Sequence, residues 1–335
     1  MTALKRRVVT IPGVVAAAIA LVLLSPLWLA VALLADAVRL RWRFPIARLL
    51  AFATCWAWLE TAGVLSAALL WLTGRRGNHE RHYALQRWWA ANLMSALRMT
   101  TGIAVEARSV EVFSPGPVVA FCRHASLADS LVSAWVITSL AHKHPRYVLK
   151  RELLGDPCLD VVGNRLPNYF LDRGAADSST ELASLTALSA AMGPDDVAVI
   201  FPEGTRASAG KRARAMAKIG ERDPERAARL ASLRHVLPPR PAGSAALLAG
   251  APDADVVLAW HVGFDGLDTF GGILRHLSHR PRPVVFAARR VPRADVPSGD
   301  AFTAWLDNRW IELDEQVDQL LRDTAPQPRS SEGTR

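Results

Sequence analysis

Cysteine is scarce in this chain. Cys55, Cys122 and Cys158 are the only three in 335 residues. They are odd in number and widely spaced, which excludes a disulfide framework and a cysteine-based zinc site. His142 and His144 flank Lys143 just before Pro145, a setting that reads as a turn and not as a metal centre. No internal repeat is present, so repeat architectures drop out. The charge is basic, 40 Lys and Arg against 31 Asp and Glu, a net +9 with a pI near 10.2. No zinc-finger spacing or RNA-binding signature accompanies that charge, and nucleic acid is set aside as a partner.

Charge is missing altogether from Ile11 to Ala35, a run rich in Ala, Val and Leu. Its length suffices for one helix to cross a bilayer core of about 30 Å. A second apolar segment, Ile46 to Thr73, carries Trp56, Trp58, Trp71 and one acid, Glu60. A cleaved signal peptide fits poorly, because the first segment is long and another follows closely. We therefore expect residues 1–76 to form a membrane anchor, with segments at about 11–35 and 46–73. An α/β domain follows over 77–323, and 324–335 is a disordered polar tail.

Basic residues flank both segments: Lys5, Arg6 and Arg7 before the first, Arg75, Arg76 and Arg81 after the second. The link between them carries Arg39, Arg41, Arg43 and Arg48. Short loops rich in Lys and Arg stay cytoplasmic, so a simple two-span hairpin leaves the link on the wrong side. The expectation is that at least one segment dips into the membrane or lies at its surface. The domain then faces the cytoplasm from the inner membrane.

After Glu80 to Arg98, which has apolar residues at helical spacing, the chain alternates. Strands are expected near Ile103–Glu106, Pro117–Cys122, Tyr147–Leu149, Tyr169–Leu171, Val197–Ile200, Asp255–Trp260 and Val284–Ala288. Helices are expected at Leu127–Ala141, Ser179–Met192 and Ala301–Arg322. The fold class is α/β, a mixed sheet covered by helices.

Two motifs carry chemistry. The β-branched run ending at Ile200 leads into Phe201-Pro-Glu-Gly-Thr-Arg206. Pro202 lacks an N–H and ends the strand. Glu203, Gly204, Thr205 and Arg206 thus sit at a strand's carboxyl end, where open α/β sheets place ligands. Position matters here, because Glu332-Gly-Thr-Arg335 repeats the four letters in the polar tail. Upstream, the strand ending at Cys122 leads into Arg123 and His124-Ala-Ser-Leu-Ala-Asp129. A neutral imidazole can take the proton of an attacking hydroxyl while a carboxylate on its other nitrogen fixes the tautomer. Ser126 to Asp129 also reads as a capping box, and the two readings are compatible.

His-x4-Asp after a strand, with strand-F-P-E-G-T-R some eighty residues on, resembles the glycerolipid acyltransferases, whose best-known activity is 1-acylglycerol-3-phosphate O-acylation. The resemblance covers roughly Val118 to Arg290. Leu149 to Gly155, Asn168 to Arg173 and His235 to Gly243 sit where that family has its further blocks. The long basic stretch from Arg206 to His235 is similar to the subgroup with an extended third block. Where the family has Asn before the catalytic His, this chain has Arg123, a departure that bears on the acceptor.

The resemblance implies His124 as general base, oriented by Asp129. It implies Arg206, Arg173 and Arg165 on the acceptor's phosphate, matching its oxygens as guanidinium forks do. Gly204 would let backbone approach the ligand, and Glu203 would hold either a glycerol hydroxyl or an arginine. The acceptor would be a lysophospholipid, most simply lysophosphatidate. Acyl-CoA or acyl carrier protein would be the acyl donor, with no cofactor and no metal. The basic stripe from Arg206 to Arg234 would meet membrane lipid headgroups or CoA phosphates, or be a solvated helical face. A different hydroxyl-bearing acceptor, or a non-catalytic phospholipid-binding protein, are the competing readings.

Overall fold

The computed structural model describes residues 2–172, 178–264, 267, 269–279 and 283–324. Three apolar helices come first: α1 (Ala3–Leu23), α2 (Ser25–Val38) and α3 (Pro45–Leu72). Then follow α4 (His79–Thr101), β1 (Val105–Ala107), β2 (Val118–Cys122), α5 (Asp129–Trp135), β3 (His144–Lys150), α6 (Pro157–Val161) and β4 (Tyr169–Leu171). The chain continues through α7 (Ser178–Ala190), β5 (Asp196–Ile200), α8 (Ala209–Gly220), α9 (Pro224–Arg229) and α10 (Pro241–Gly250). It closes with β6 (Asp255–Val262), α11 (Phe270–Ser278), β7 (Val284–Val291) and α12 (Ala301–Asp323). The expected tail lies outside the described residues, apart from Thr324.

The strands form one sheet in the order β1-β7-β6-β2-β5-β3-β4, parallel throughout except where β6 meets β7. This is the expected mixed sheet. Every residue of β2 and β5 is buried, which is why both read as continuous apolar runs and not as alternating ones. Alternate side chains feed two cores. Val119, Phe121, Ala198, Ile200 and Leu258 pack toward Leu185, Leu247, Leu306 and Trp310 of α7, α10 and α12. Val118, Ala120, Val197, Val199 and Val257 pack toward Met94 and Leu97 of α4 and Val132 of α5.

Register sets the site. Phe121 pairs with Ile200 and Cys122 with Ala259. The segments leaving β2 and β5, and the end of β6, therefore converge at the carboxyl ends of the three central strands.

The first apolar segment differs from a single span. It breaks at Leu24, because Pro26 in the first turn of α2 has no N–H for the helix ladder. By length and composition α1 and α3 could each cross a membrane. However, α3 lies along the domain. Arg48 near its start donates to the carbonyls of Thr100, Thr101 and Leu277. Near its end, the Ala67 carbonyl accepts from Arg165 at 2.7 Å. Between them Glu60 is fully buried, accepting from the Trp89 indole at 2.9 Å and the Cys158 amide at 3.1 Å. The acid that would be costly in lipid is satisfied by protein. α1 packs on α3 through Val14, Ala18 and Ala57, and its Arg6 and Arg7 pair with the buried Asp160 of α6.

His144, expected in a turn, instead opens β3. Pro145 is tolerated there because β4 joins β3 only from Val148 onward, leaving that stretch an edge.

Candidate active site

His124 follows β2, and its ring donates from Nδ1 to Asp129 Oδ2 at 2.8 Å. Asp129 opens α5, where the helix dipole favours a negative charge. Its carboxylate folds back over the preceding loop, accepting from the amides of Ala125 at 2.6 Å and Ser126 at 2.9 Å, and from the Ser126 hydroxyl. Half of the capping box forms: Asp129 accepts from the Ser126 amide, while the Ser126 hydroxyl accepts from the Ala128 amide and the helix starts at Asp129 itself. Asp129 is 2% exposed. Burial raises its pKa, but the charges and hydrogen bonds of His261 and His124 outweigh that and hold it well below the usual carboxylate range. An ionised carboxylate requires the proton on His124 Nδ1, so Nε2 keeps its lone pair, and His124 lines a cavity of about 560 Å³.

Glu203 does not face that cavity. Its Oε1 accepts from the His124 amide at 2.7 Å and its Oε2 from the Leu237 amide at 2.8 Å. Only 1% of it is exposed. Burial pushes its carboxyl up to about 8, against the pull of those two amides and of Arg123. The expected contact with a glycerol hydroxyl or an arginine is replaced by a structural one. Two backbone bonds complete the lacing, Ala207 N–H to His124 O at 2.7 Å and Arg240 N–H to Pro202 O at 2.9 Å.

Gly204 and Arg206 line the cavity. Gly204 has φ of +69°, a left-handed conformation that favours glycine. Arg206 has a buried Nη1 with no hydrogen-bond partner among the described residues. Thr205 is half-buried, with its hydroxyl 3.5 Å from Lys211 Nζ, and is not among the lining residues. Arg165 is elsewhere: it bonds Ala67 O and the His82 ring, bracing α3 against α4. Arg173 lies outside the described residues. Arg123 is buried and donates to the His261 carbonyl, so it supports the end of β6 and does not face the acceptor.

Three lining or supporting residues had no role assigned from sequence. Lys150 and Arg240 line the cavity. His261, at the end of β6, donates from Nε2 to Asp129 Oδ1 at 2.8 Å. An imidazole closing a strand-like run was the signal available for His261, the same arrangement as at His124.

A second, apolar cavity of about 420 Å³ adjoins the first, sharing Leu127, Ser130, Leu149 and Leu153. Phe52, Trp89, Leu97 and Leu131 are among its other walls. Among the described residues no cluster of His, Cys, Asp and Glu is placed to hold a metal ion.

The arrangement joins an imidazole with a free Nε2, a carboxylate that orients it, cationic side chains and an apolar chamber. Residues 104–231 match the Acyltransferase family model. His124, Asp129, Glu203 and Arg206 all fall within the match, whereas Leu237, Arg240 and His261 lie beyond it. Comparison with curated proteins finds no match. Among solved structures, the 1-acyl-sn-glycerophosphate (LPA) acyltransferase PlsC from Thermotoga maritima is similar, at 14% identity and a TM-score of 0.44. The likeness spans 81% of this chain and 97% of that one. At that score it adds nothing to the fold read from the strands themselves.

Proposed function

We propose that this chain acylates the free hydroxyl of a lysophospholipid, most simply lysophosphatidate to phosphatidate, from an acyl thioester of CoA or acyl carrier protein. The observation that carries this reading is His124, oriented by Asp129, in a cavity that adjoins an apolar chamber and also holds Arg206, whose buried Nη1 has no partner among the described residues. His124 Nε2 takes the acceptor's proton as its oxygen attacks the thioester carbonyl. The tetrahedral intermediate collapses, the C–S bond breaks, and the proton returns to the leaving thiolate. Arg206, with Arg240 beside it, holds the phosphate, and the apolar chamber takes an acyl chain.

The membrane supplies the lysophospholipid. Leu127 is 64% exposed although it walls both cavities, giving chains an apolar entry. Leu23, Leu24, Leu27, Leu65, Leu69 and Leu72 are also exposed on the first three helices. Since α3 is tied to the domain at both ends, these helices are embedded from one side as an interfacial anchor. The basic loops then share the cytoplasmic face of the inner membrane.

The test is an acceptor panel in membranes with radiolabelled acyl-CoA: lysophosphatidate, its choline and glycerol counterparts, and monoacylglycerol. Lysophosphatidate is expected to be acylated best, and His124→Ala to remove the activity. Equal labelling by wild type and His124→Ala across the panel overturns the reading.

A further inference from the structure

Asp129 has a second imidazole. His124 Nδ1 meets Oδ2 and His261 Nε2 meets Oδ1, each at 2.8 Å. The sheet places them so: with Cys122 opposite Ala259, two further steps along each chain bring His124 and His261 level. We propose that His261 is a positioning residue for the transfer reaction, fixing the Asp129 carboxylate and limiting how strongly that carboxylate draws a proton onto His124.

The protonation pattern follows from the geometry. Asp129 also accepts from Ala125, Ser126 and the Ser126 hydroxyl, so it is a saturated acceptor, and His261 Nε2 must carry a proton toward it. His261 Nδ1 is buried and has no partner among the described residues. A second proton there would create a buried N–H with no acceptor among the described residues, so the Nε2–H toward Asp129 is the one hydrogen bond this ring is built to make. Phe264 stacks edge-on against the ring at 5.7 Å and holds its plane.

Hydrogen bonds at Oδ1 and Oδ2 draw on the same charge. Each donor weakens the carboxylate's hold on the other, so His261 tempers the attraction that favours imidazolium at His124. The net effect is a base correctly aimed yet still neutral when the acceptor arrives.

The other groups facing this carboxylate are few. Arg123 and Cys122 come from the end of β2, and Glu203 from beyond β5. Burial pushes the Cys122 thiol up to about 12, keeping it neutral. Burial pushes the Glu203 carboxyl up to about 8.

This inference rests on His124 being the base, and the experiment separates the two. Full-length wild type, His124→Ala, His261→Ala and His261→Gln are compared in detergent. The assay uses oleoyl-lysophosphatidate with palmitoyl-CoA, and kcat and kcat/KM are measured from about pH 5 to pH 8.

His261→Ala is expected to lower kcat by about tenfold to a hundredfold with KM little changed. It also moves the acid limb of kcat/KM up by about half a pH unit, because the freed carboxylate favours protonated His124. His261→Gln, which keeps a donor at the position of Nε2, restores most of kcat.

A second readout needs no substrate. Carbethoxylation of His124 by diethyl pyrocarbonate, followed by peptide mass spectrometry, reports its neutral fraction. Its midpoint should rise in His261→Ala and return toward wild type in His261→Gln. Should the alanine variant not fold, the glutamine variant carries the test: a kcat as low as that of His124→Ala, or a carbethoxylation midpoint displaced from wild type, overturns the proposal. It is equally overturned if His261→Ala matches wild type in kcat, acid limb and midpoint while His124→Ala is inactive. Activity retained by His124→Ala removes the base assignment instead.

Discussion

Glu203 holds the backbone of His124: its Oε1 accepts from the His124 amide at 2.7 Å, 79 residues away in sequence. The other oxygen takes the Leu237 amide. One carboxylate therefore fixes three segments.

Glu203→Ala leaves two buried amides without acceptors, at a cost of about 1–3 kcal/mol each. A lower midpoint in thermal or denaturant unfolding is expected, with reduced kcat because His124 loses its fixed place. An unchanged unfolding midpoint would deny the clasp.

His124→Ala should reduce transfer by about a thousandfold or more, as loss of a central base does. Membrane association and the far-ultraviolet spectrum should match wild type. Wild-type turnover in a purified sample would end the general-base assignment.

Arg206→Ala should raise KM for lysophosphatidate by about tenfold or more, with kcat less affected. Arg165→Ala serves as the contrast. It removes the bracket between α3 and α4, so thermal stability falls while KM stays put. A KM that rises in Arg165→Ala and not in Arg206→Ala would reverse the assignments.

Asp129 predicts a signature in acid. Its native carboxyl lies well below the ordinary value of 3.8. The stability it contributes is thus complete above that ordinary value and lost as pH falls below it. Melting temperatures measured from about pH 6 down to pH 3 should drop more steeply for wild type than for Asp129→Asn below about pH 4. Parallel curves would show that the carboxylate is not held ionised by its neighbours.

Topology is open to chemical labelling. With α3 tied to the domain at Arg48 and at Ala67, the link between α2 and α3 belongs on the domain's side of the membrane. A cysteine introduced at Arg41, in a background lacking the native three, should resist an impermeant thiol reagent in intact cells and react after lysis. Labelling in intact cells would place that link outside.

Much of the fold was legible because β2 and β5 are short, β-branched and bounded by Gly and Pro, and because one periodicity runs through Ala301 to Arg322. The dyad was legible too, since His124 and Asp129 are neighbours in sequence. What stayed hidden depends on long-range register. Nothing near Glu203 reveals that its partners are amides at 124 and 237. Nor does the span from Asp255 to Trp260 show that the next residue reaches Asp129. Arg165 was placed on the phosphate by the resemblance, yet the contact that employs it comes from a helix about one hundred residues earlier. The single-helix reading of 11–35 weighed hydropathy over Pro26, and the proline prevailed.

The sheet order has a practical corollary for anyone cutting this gene into pieces. A fragment trimmed to 104–231 would retain the motif letters but forfeit the amide that satisfies half of Glu203, the Arg240 guanidinium and the whole of β6. Recombinant dissection must therefore carry the chain through β7 at least, since β1 pairs only with that strand.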